Sequence, residues 1–365
     1  MHYKLMALLA LLLGGSLWSA AGMAQEVPAL KGVSPEEKAR VEKLIEGAKA
    51  EGVFSYIDAV IQPKSSDEMA AAFRAHYGLP ATFKINYTLS ATGALVTRVE
   101  QELSAKKITN DIVGIASPSW VYERVAAGDV LEYDSPEYKN YTTVFENGLG
   151  LKGFFAFNGG YIFVPMWNSE TLDFKGKGFK DVIGAVPEGR LSIGDSSKSV
   201  TYIATQVGLV KALGREYFAA ISKMKPPLVL RSETIVARLV SGEDLMAFTG
   251  MPTRAYQANL KGAKIKFILN PEEGVVLMPQ SMFILKGAPH PNAAKLWVDF
   301  MLSEEGQNLI VKHEALISGR NGFKSPIPEY APPIDSLKLI KIDWKNTPSK
   351  DLIKEREEWV KLFNP

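Results

Sequence analysis

Residues 83–115 read FKINYTLSATGALVTRVEQELSAKKITNDIVGI. Two segments of strand length, Phe83 to Leu89 and Asp111 to Ile115, flank a helical pattern. Between Ala94 and Ala105 the apolar residues Leu95, Val96, Val99 and Leu103 recur at helical spacing. Strand, helix, strand in this order predicts a mostly parallel sheet with helices on its faces. The same alternation runs upstream. Ser34-Pro35-Glu36-Glu37 forms a capping box with proline at the first helical position, opening a helix that Gly52 ends. Val53 to Ile57 then reads as a strand, and Asp67 to His76 as a helix stopped by Gly78.

Downstream the pattern restarts. Tyr161 to Val164 reads as a strand leaving the first lobe. Strands at Leu191 to Ile193, Leu228 to Leu230 and Leu245 to Phe248 alternate with helices at Val200 to Leu213 and Ile235 to Ser241. After Asn270, Val275 to Met278 and Met282 to Leu285 read as strands, and Asn292 to Leu302 as a helix that returns to the first lobe. Ser349 to Phe363 is a terminal amphipathic helix. The expected organisation is an α/β chain of two lobes. Residues 25–160 with 271–318 form the first, 161–270 the second, and 319–365 a tail and helix packed on both. No repeat or flexible junction separates the lobes, so they are expected to share strands.

The first 24 residues form a separate segment. Lys4 precedes the apolar run Leu5 to Leu13, and Ser19-Ala20-Ala21-Gly22-Met23-Ala24 supplies small residues. This is the pattern of a secretory signal peptide, with cleavage expected near Ala24. Nine apolar residues are too few for a bilayer span, which takes about 20. The chain contains no cysteine, so neither a disulfide nor a lipid on a cleavage-site cysteine is expected. The predicted product is a free periplasmic monomer. Its formal charge falls from +2 to +1 once Lys4 leaves, which gives no reason to expect a nucleic-acid or membrane-surface partner.

In open α/β sheets ligands sit beyond the carboxyl ends of the strands. Here those ends are rich in small hydroxyl residues. The first lobe offers Ser90, Thr92 and Gly93 after one strand, and Ser117 and Trp120 after the next. The second offers Ser197, Lys198, Ser199 and Thr201, then Arg231, then Thr249, Arg254 and Tyr256. Tyr161 stands where the chain leaves the first lobe, and Asp58 and Gln62 follow the first strand. Most of these loops also start helices, whose unpaired N–H groups and partial positive charge suit an anion. Each start contributes about 0.3–1 kcal/mol, so several together supply part of the roughly 8 kcal/mol of micromolar binding. Lys198, Arg231 and Arg254 can add charge-assisted bonds. Trp120, Tyr161 and Tyr256 can add apolar faces with polar tips.

Several ordered segments carry a family resemblance. They are Ala48-Lys49-Ala50-Glu51-Gly52, the stretch from Met69 to Gly78, Asn110-Asp111-Ile112-Val113, Val240-Ser241-Gly242-Glu243, Asn270-Pro271-Glu272-Glu273-Gly274 and the run from Ala293 to Gln307. Together they resemble the family 1 extracellular solute-binding proteins, in the branch around the periplasmic ferric-binding proteins. The resemblance implies a type II periplasmic-binding-protein fold, with hinge strands joining two lobes that close over a ligand. It also implies delivery of that ligand to an inner-membrane ABC permease. Ferric-binding members typically use paired second-lobe tyrosines, often with a first-lobe histidine and carboxylate. The corresponding loop here reads Gly250-Met251-Pro252-Thr253, with Tyr256 alone beyond it. The histidines are His2, His76, His290 and His313, none of them after the first strand. The anion-binding helix start of the family matches Ser197-Lys198-Ser199-Val200-Thr201. The expected ligand is therefore a small organic anion (a carboxylate, phosphonate or phosphate ester), with no metal and no cofactor.

Two other readings compete. One is ferric iron binding. The other is a ligand-sensing role beside a membrane receptor or sensor kinase. No nucleophile elbow, P-loop, zinc helix motif or dinucleotide fingerprint occurs in the sequence, so no enzymatic activity is expected.

Overall fold

The structure is a computed structural model that describes residues 27–363. The proposed signal peptide lies outside the described residues. The first lobe begins α1 (Pro35–Glu51), β1 (Val53–Asp58), α2 (Pro63–Tyr77), β2 (Lys84–Leu89), α3 (Thr92–Ser104), β3 (Ile112–Ile115) and α4 (Pro118–Ala127), then α5 (Thr142–Glu146) and β4 (Ala156–Tyr161). The second lobe holds β5 (Val164–Asn168), β6 (Leu191–Gly194), α6 (Val200–Leu213), α7 (Arg215–Lys223), β7 (Leu228–Val229), α8 (Ser232–Ser241), β8 (Met246–Gly250), α9 (Pro252–Asn259) and β9 (Ile265–Phe267). The chain returns through β10 (Met278–Ile284), α10 (Pro291–Leu302) and α11 (Glu304–Glu314), and ends in α12 (Ser349–Phe363).

Each lobe is built on a five-stranded sheet, ordered β2-β1-β3-β10-β4 in the first and β7-β6-β8-β5-β9 in the second. The expected parallel strands form half of each sheet: β1 pairs in parallel with β2 and β3, and β6 with β7 and β8. The other half is antiparallel, through β10 on β3 and β4 and β5 on β8 and β9. The antiparallel strands adjoin the two crossings between lobes. One crossing is Ile162-Phe163 between β4 and β5, and the other runs from β9 to β10.

Local chemistry accounts for the helices that place the cleft. Ser34 accepts the Glu37 N–H at 3.2 Å and Gly52 ends α1 at φ 70°, a left-handed conformation that suits glycine. Val41, Leu44, Ile45 and Ala48 on that helix are buried. In the first core Phe54 and Phe73 pack on Trp297 from α10, whose centroid lies 5.2 Å from that of Phe73, and Phe83 packs on both phenylalanines. In the second, Phe248 of β8 meets Phe179 and Phe218 at 5.2 and 5.8 Å. The tail reaches both lobes. Ser349 bonds Glu123 of α4, while Glu355 pairs with Arg215 of α7 through two contacts of 3.1 and 2.7 Å. No helix among the described residues is long and apolar enough to cross a membrane.

Candidate functional site: an interlobe cleft

A cleft of about 580 Å³ opens between the lobes. The first lobe contributes Ala59, Val60 and Gln62 after β1 and residues 89–94 around the start of α3. The second contributes the starts of α6, α8 and α9, and Tyr161 and Phe163 of the crossing form part of the wall. Of the four helix starts, only α6 has a side-chain cap: Ser199 accepts the Tyr202 N–H at 3.3 Å. The starts of α3, α8 and α9, at Ala91, Arg231 and Met251, have none. The first-turn N–H groups of α3 and α8 have no intrahelical acceptor, whereas α9 opens on Pro252, which carries no N–H, and its Arg254 N–H donates to the Met251 carbonyl at 2.9 Å.

Arg254 stands in the first turn of α9 and is 8% exposed. Its guanidinium lies 3.0 Å from Glu233 and donates to Gln257 at 3.0 Å and to Ser232 at 3.5 Å. Those partners hold the side chain in one pose. Lys198 and Arg231 are largely exposed; Lys198 is 3.8 Å from Asp195, and Arg231 is 3.7 Å from Glu233. Tyr202, on the first turn of α6, is 4% exposed, and its hydroxyl has no hydrogen-bond partner. Gly194 leaves room for its ring, since a Cβ there would sit 2.5 Å from it. Burial pushes the phenol of Tyr202 well up, with Glu233 adding to the effect. Burial likewise pushes Tyr161 up, with Arg254 and Thr201 opposing it. Both phenols therefore stay protonated at neutral pH, as hydrogen-bond donors.

Ser90, Thr92, Gly93, Tyr161, Lys198, Ser199, Thr201, Arg231 and Arg254 line the cleft, as does Gln62. Five expected site residues do not, each for a local reason. Ser117 is buried at the start of α4, its side chain capping nothing. Trp120 packs on Phe283, and its indole N–H donates to Glu100 at 2.6 Å. The Ser197 hydroxyl donates to Asp195 at 2.5 Å. Thr249 accepts the Gly194 N–H at 2.8 Å, tying β8 to β6. Tyr256 lies two residues past Arg254, about 200° around the helix. Its hydroxyl accordingly donates to the carbonyl of Lys312 at 3.0 Å, in a contact between lobes. Asp58 is also sequestered, accepting from Tyr56, the N–H groups of Val60 and Ile61, and Gln280.

Sequence reading missed Tyr202 and Glu233. Tyr202 follows Ser199 by three residues, a spacing that puts both on one helix face. Glu233 gave no comparable signal, because an acidic residue in a first helical turn is ordinary. Among the cleft-lining residues Glu233 is the one carboxylate, and no histidine is present. No group of three or more histidine, aspartate or glutamate residues able to hold a metal occurs among the described residues. The three described histidines pair elsewhere: His76 with Glu305, His290 with Asp111 and His313 with Glu68.

Solved structures share this architecture. The periplasmic binding protein AfuA from Actinobacillus pleuropneumoniae, with exogenous fructose-6-phosphate bound, superposes with a TM-score of 0.70 at 20% identity, over 86% of this chain and 99% of that one. Iron-bound HitA from Pseudomonas aeruginosa gives 0.68 at 18% identity, over 84% and 98%. The substrate-binding protein of an ABC transporter from Agrobacterium tumefaciens gives 0.71 at 12% identity, over 85% and 94%. The shared fold is that of the type II periplasmic binding proteins. No curated protein matches the chain in sequence. The model of the family described as bacterial extracellular solute-binding protein matches residues 64–313. Proteins of this family bind solutes for ABC permeases and are not enzymes. With the two lobes, the cleft and that match together, the chain belongs to the bacterial extracellular solute-binding proteins.

Proposed function

We propose that this protein captures a small organic anion in the periplasm, after removal of its signal peptide, and hands it to an inner-membrane ABC permease. One cleft lined by the starts of α3, α6 and α8 together with Arg254 and Tyr202, whose hydroxyl has no partner, carries this reading. An anion there accepts from backbone N–H groups, from a phenol and from a guanidinium already held in place. A charge-assisted bond contributes about 1.5–3 kcal/mol and each helix start about 0.3–1. One of the former with several of the latter supplies about half of the roughly 8 kcal/mol of micromolar affinity. Capture proceeds by a shift of population toward the closed form, limited by the ligand's preference for that form. The sugar phosphate held by the similar fold of AfuA supports a phosphate ester among the candidate anions. Ferric iron is disfavoured by the donors present: one cleft carboxylate, no histidine, and phenols that burial keeps protonated.

A thermal-shift screen of the mature protein tests the reading, using carboxylates, phosphonates, sugar phosphates and ferric citrate, with and without a chelator. A shift with an organic anion that survives chelation is expected. A shift with iron alone, accompanied by colour, overturns the reading.

A further inference from the structure

Glu233 is an unexpected charge for an anion site. It stands in the first turn of α8, one of the uncapped helix starts, and lines the cleft. One carboxylate oxygen is 3.0 Å from the Arg254 guanidinium and the other 3.7 Å from Arg231. Its side chain is 43% exposed, whereas that of Arg254 is 8% exposed. The cation is thus fixed in the wall, and the anion on it has a free path to solvent. Tyr202, whose hydroxyl has no hydrogen-bond partner, lines the same cleft. A carboxylate, an arginine and a phenol donor lacking an acceptor therefore line one cleft.

We propose that Glu233 is the resident counter-ion of this site, which an incoming anion displaces from Arg254. The proposal rests on the organic-anion reading above. Binding is then an exchange of anions. A simple monocarboxylate offers Arg254 the interaction that Glu233 already makes within the chain, at the high effective concentration of a tethered group. It gains little by the exchange. A dianionic, phosphate-like head group brings a second charge and further oxygens. These can reach Tyr202 and the start of α6 while Arg254 is engaged. Glu233 thereby sets a displacement cost common to every anion, which only a ligand with contacts beyond Arg254 outweighs.

The test titrates inorganic phosphate and acetate into the full mature protein, Glu233→Gln and Arg254→Ala by calorimetry, with melting curves as the folding control. Glu233→Gln is expected to tighten phosphate binding by about twofold to fivefold, the size of a partly exposed ion pair. Acetate pays the same displacement cost and is expected to gain by a similar factor. Glu233→Asp, whose shorter arm keeps the charge but loosens the pair, should fall between wild type and Gln. Weaker or unchanged phosphate binding in Glu233→Gln, with Arg254→Ala still abolishing it, overturns the counter-ion role alone. Phosphate binding that is indifferent to Arg254→Ala, or absent from every variant, overturns the anion reading itself.

Discussion

The first lobe meets the cleft with Ala59, Val60, Gln62, Ser90, Ala91 and Thr92, none of them charged. The second meets it with Lys198, Arg231, Glu233 and Arg254. The first lobe does hold carboxylates nearby, but behind its wall. Asp58 and Glu314 are both buried, and burial pushes both of them up. Glu314 accepts the N–H of Gln62, which itself lines the cleft. Two sheets of the same size thus carry unlike electrostatics. The first lobe offers polar, neutral and apolar contacts in front of buried acids. The second offers cations and a phenol donor. An anionic group is favoured on the second lobe and an uncharged remainder on the first.

The largest expected effect is on the second lobe. Arg254→Ala should weaken binding of the anion found by screening by about 30-fold or more, since truncating one partner of a buried charged pair costs about 2–5 kcal/mol. Titration calorimetry reads this directly, and a change below threefold removes Arg254 from the account. Tyr202→Phe comes next. It deletes the unpartnered hydroxyl and should cost about 0.5–1.5 kcal/mol of affinity, the worth of an ordinary hydrogen bond, without lowering the melting temperature. Unchanged affinity would mean that the hydroxyl faces no ligand.

Glu314→Gln sharpens the comparison from the first lobe through stability. One Glu314 oxygen accepts the Gln62 N–H at 2.8 Å, and the other is buried with no partner. Burial raises this carboxyl above its usual 4.5. A group raised in the folded state makes the protein lose stability as pH climbs from the unfolded value through the folded one. The glutamine variant escapes that loss. It should be more stable than wild type by about 1 kcal/mol at pH 8, a small part of what a poorly partnered buried charge costs. The advantage should vanish below pH 4. Melting curves across that range check it, and a pH-independent difference contradicts it. The smallest effect is reserved for Thr92→Val at the first-lobe helix start. With no charged partner there, affinity should change by less than about threefold, within one neutral hydrogen bond.

How much of this was legible in sequence depended on whether the signal was local. The strand-helix-strand unit at residues 83–115 appears as β2, α3 and β3, with ends within two residues of the reading. Its strands carry many β-branched residues and its helix has a clear apolar stripe. The strands near the crossings were harder. β4 reads AFNGGY and is buried throughout, so it shows no alternation of apolar and polar residues. β10 reads as two pieces because Pro279, Gln280 and Ser281 interrupt its apolar run. Those polar residues are buried nonetheless, and Gln280 donates to Asp58 at 3.0 Å. The antiparallel pairing depends on distant partners that local periodicity does not encode. The cleft divides the same way. Hydroxyl-rich helix starts announced Thr92, Ser199 and Thr201, while Trp120, Thr249 and Tyr256 show the same residue types used for packing and strand-end bonding.

A crystal structure of the protein grown with the best anion of the screen, under chelating conditions, tests the asymmetry between the lobes most directly. The account predicts the anionic group on the second lobe, within hydrogen-bond distance of Arg254, Tyr202 and the start of α6, with the uncharged part against Ser90 to Thr92. An anionic group held by the first lobe, or a metal ion between Tyr161 and Tyr202, would contradict it.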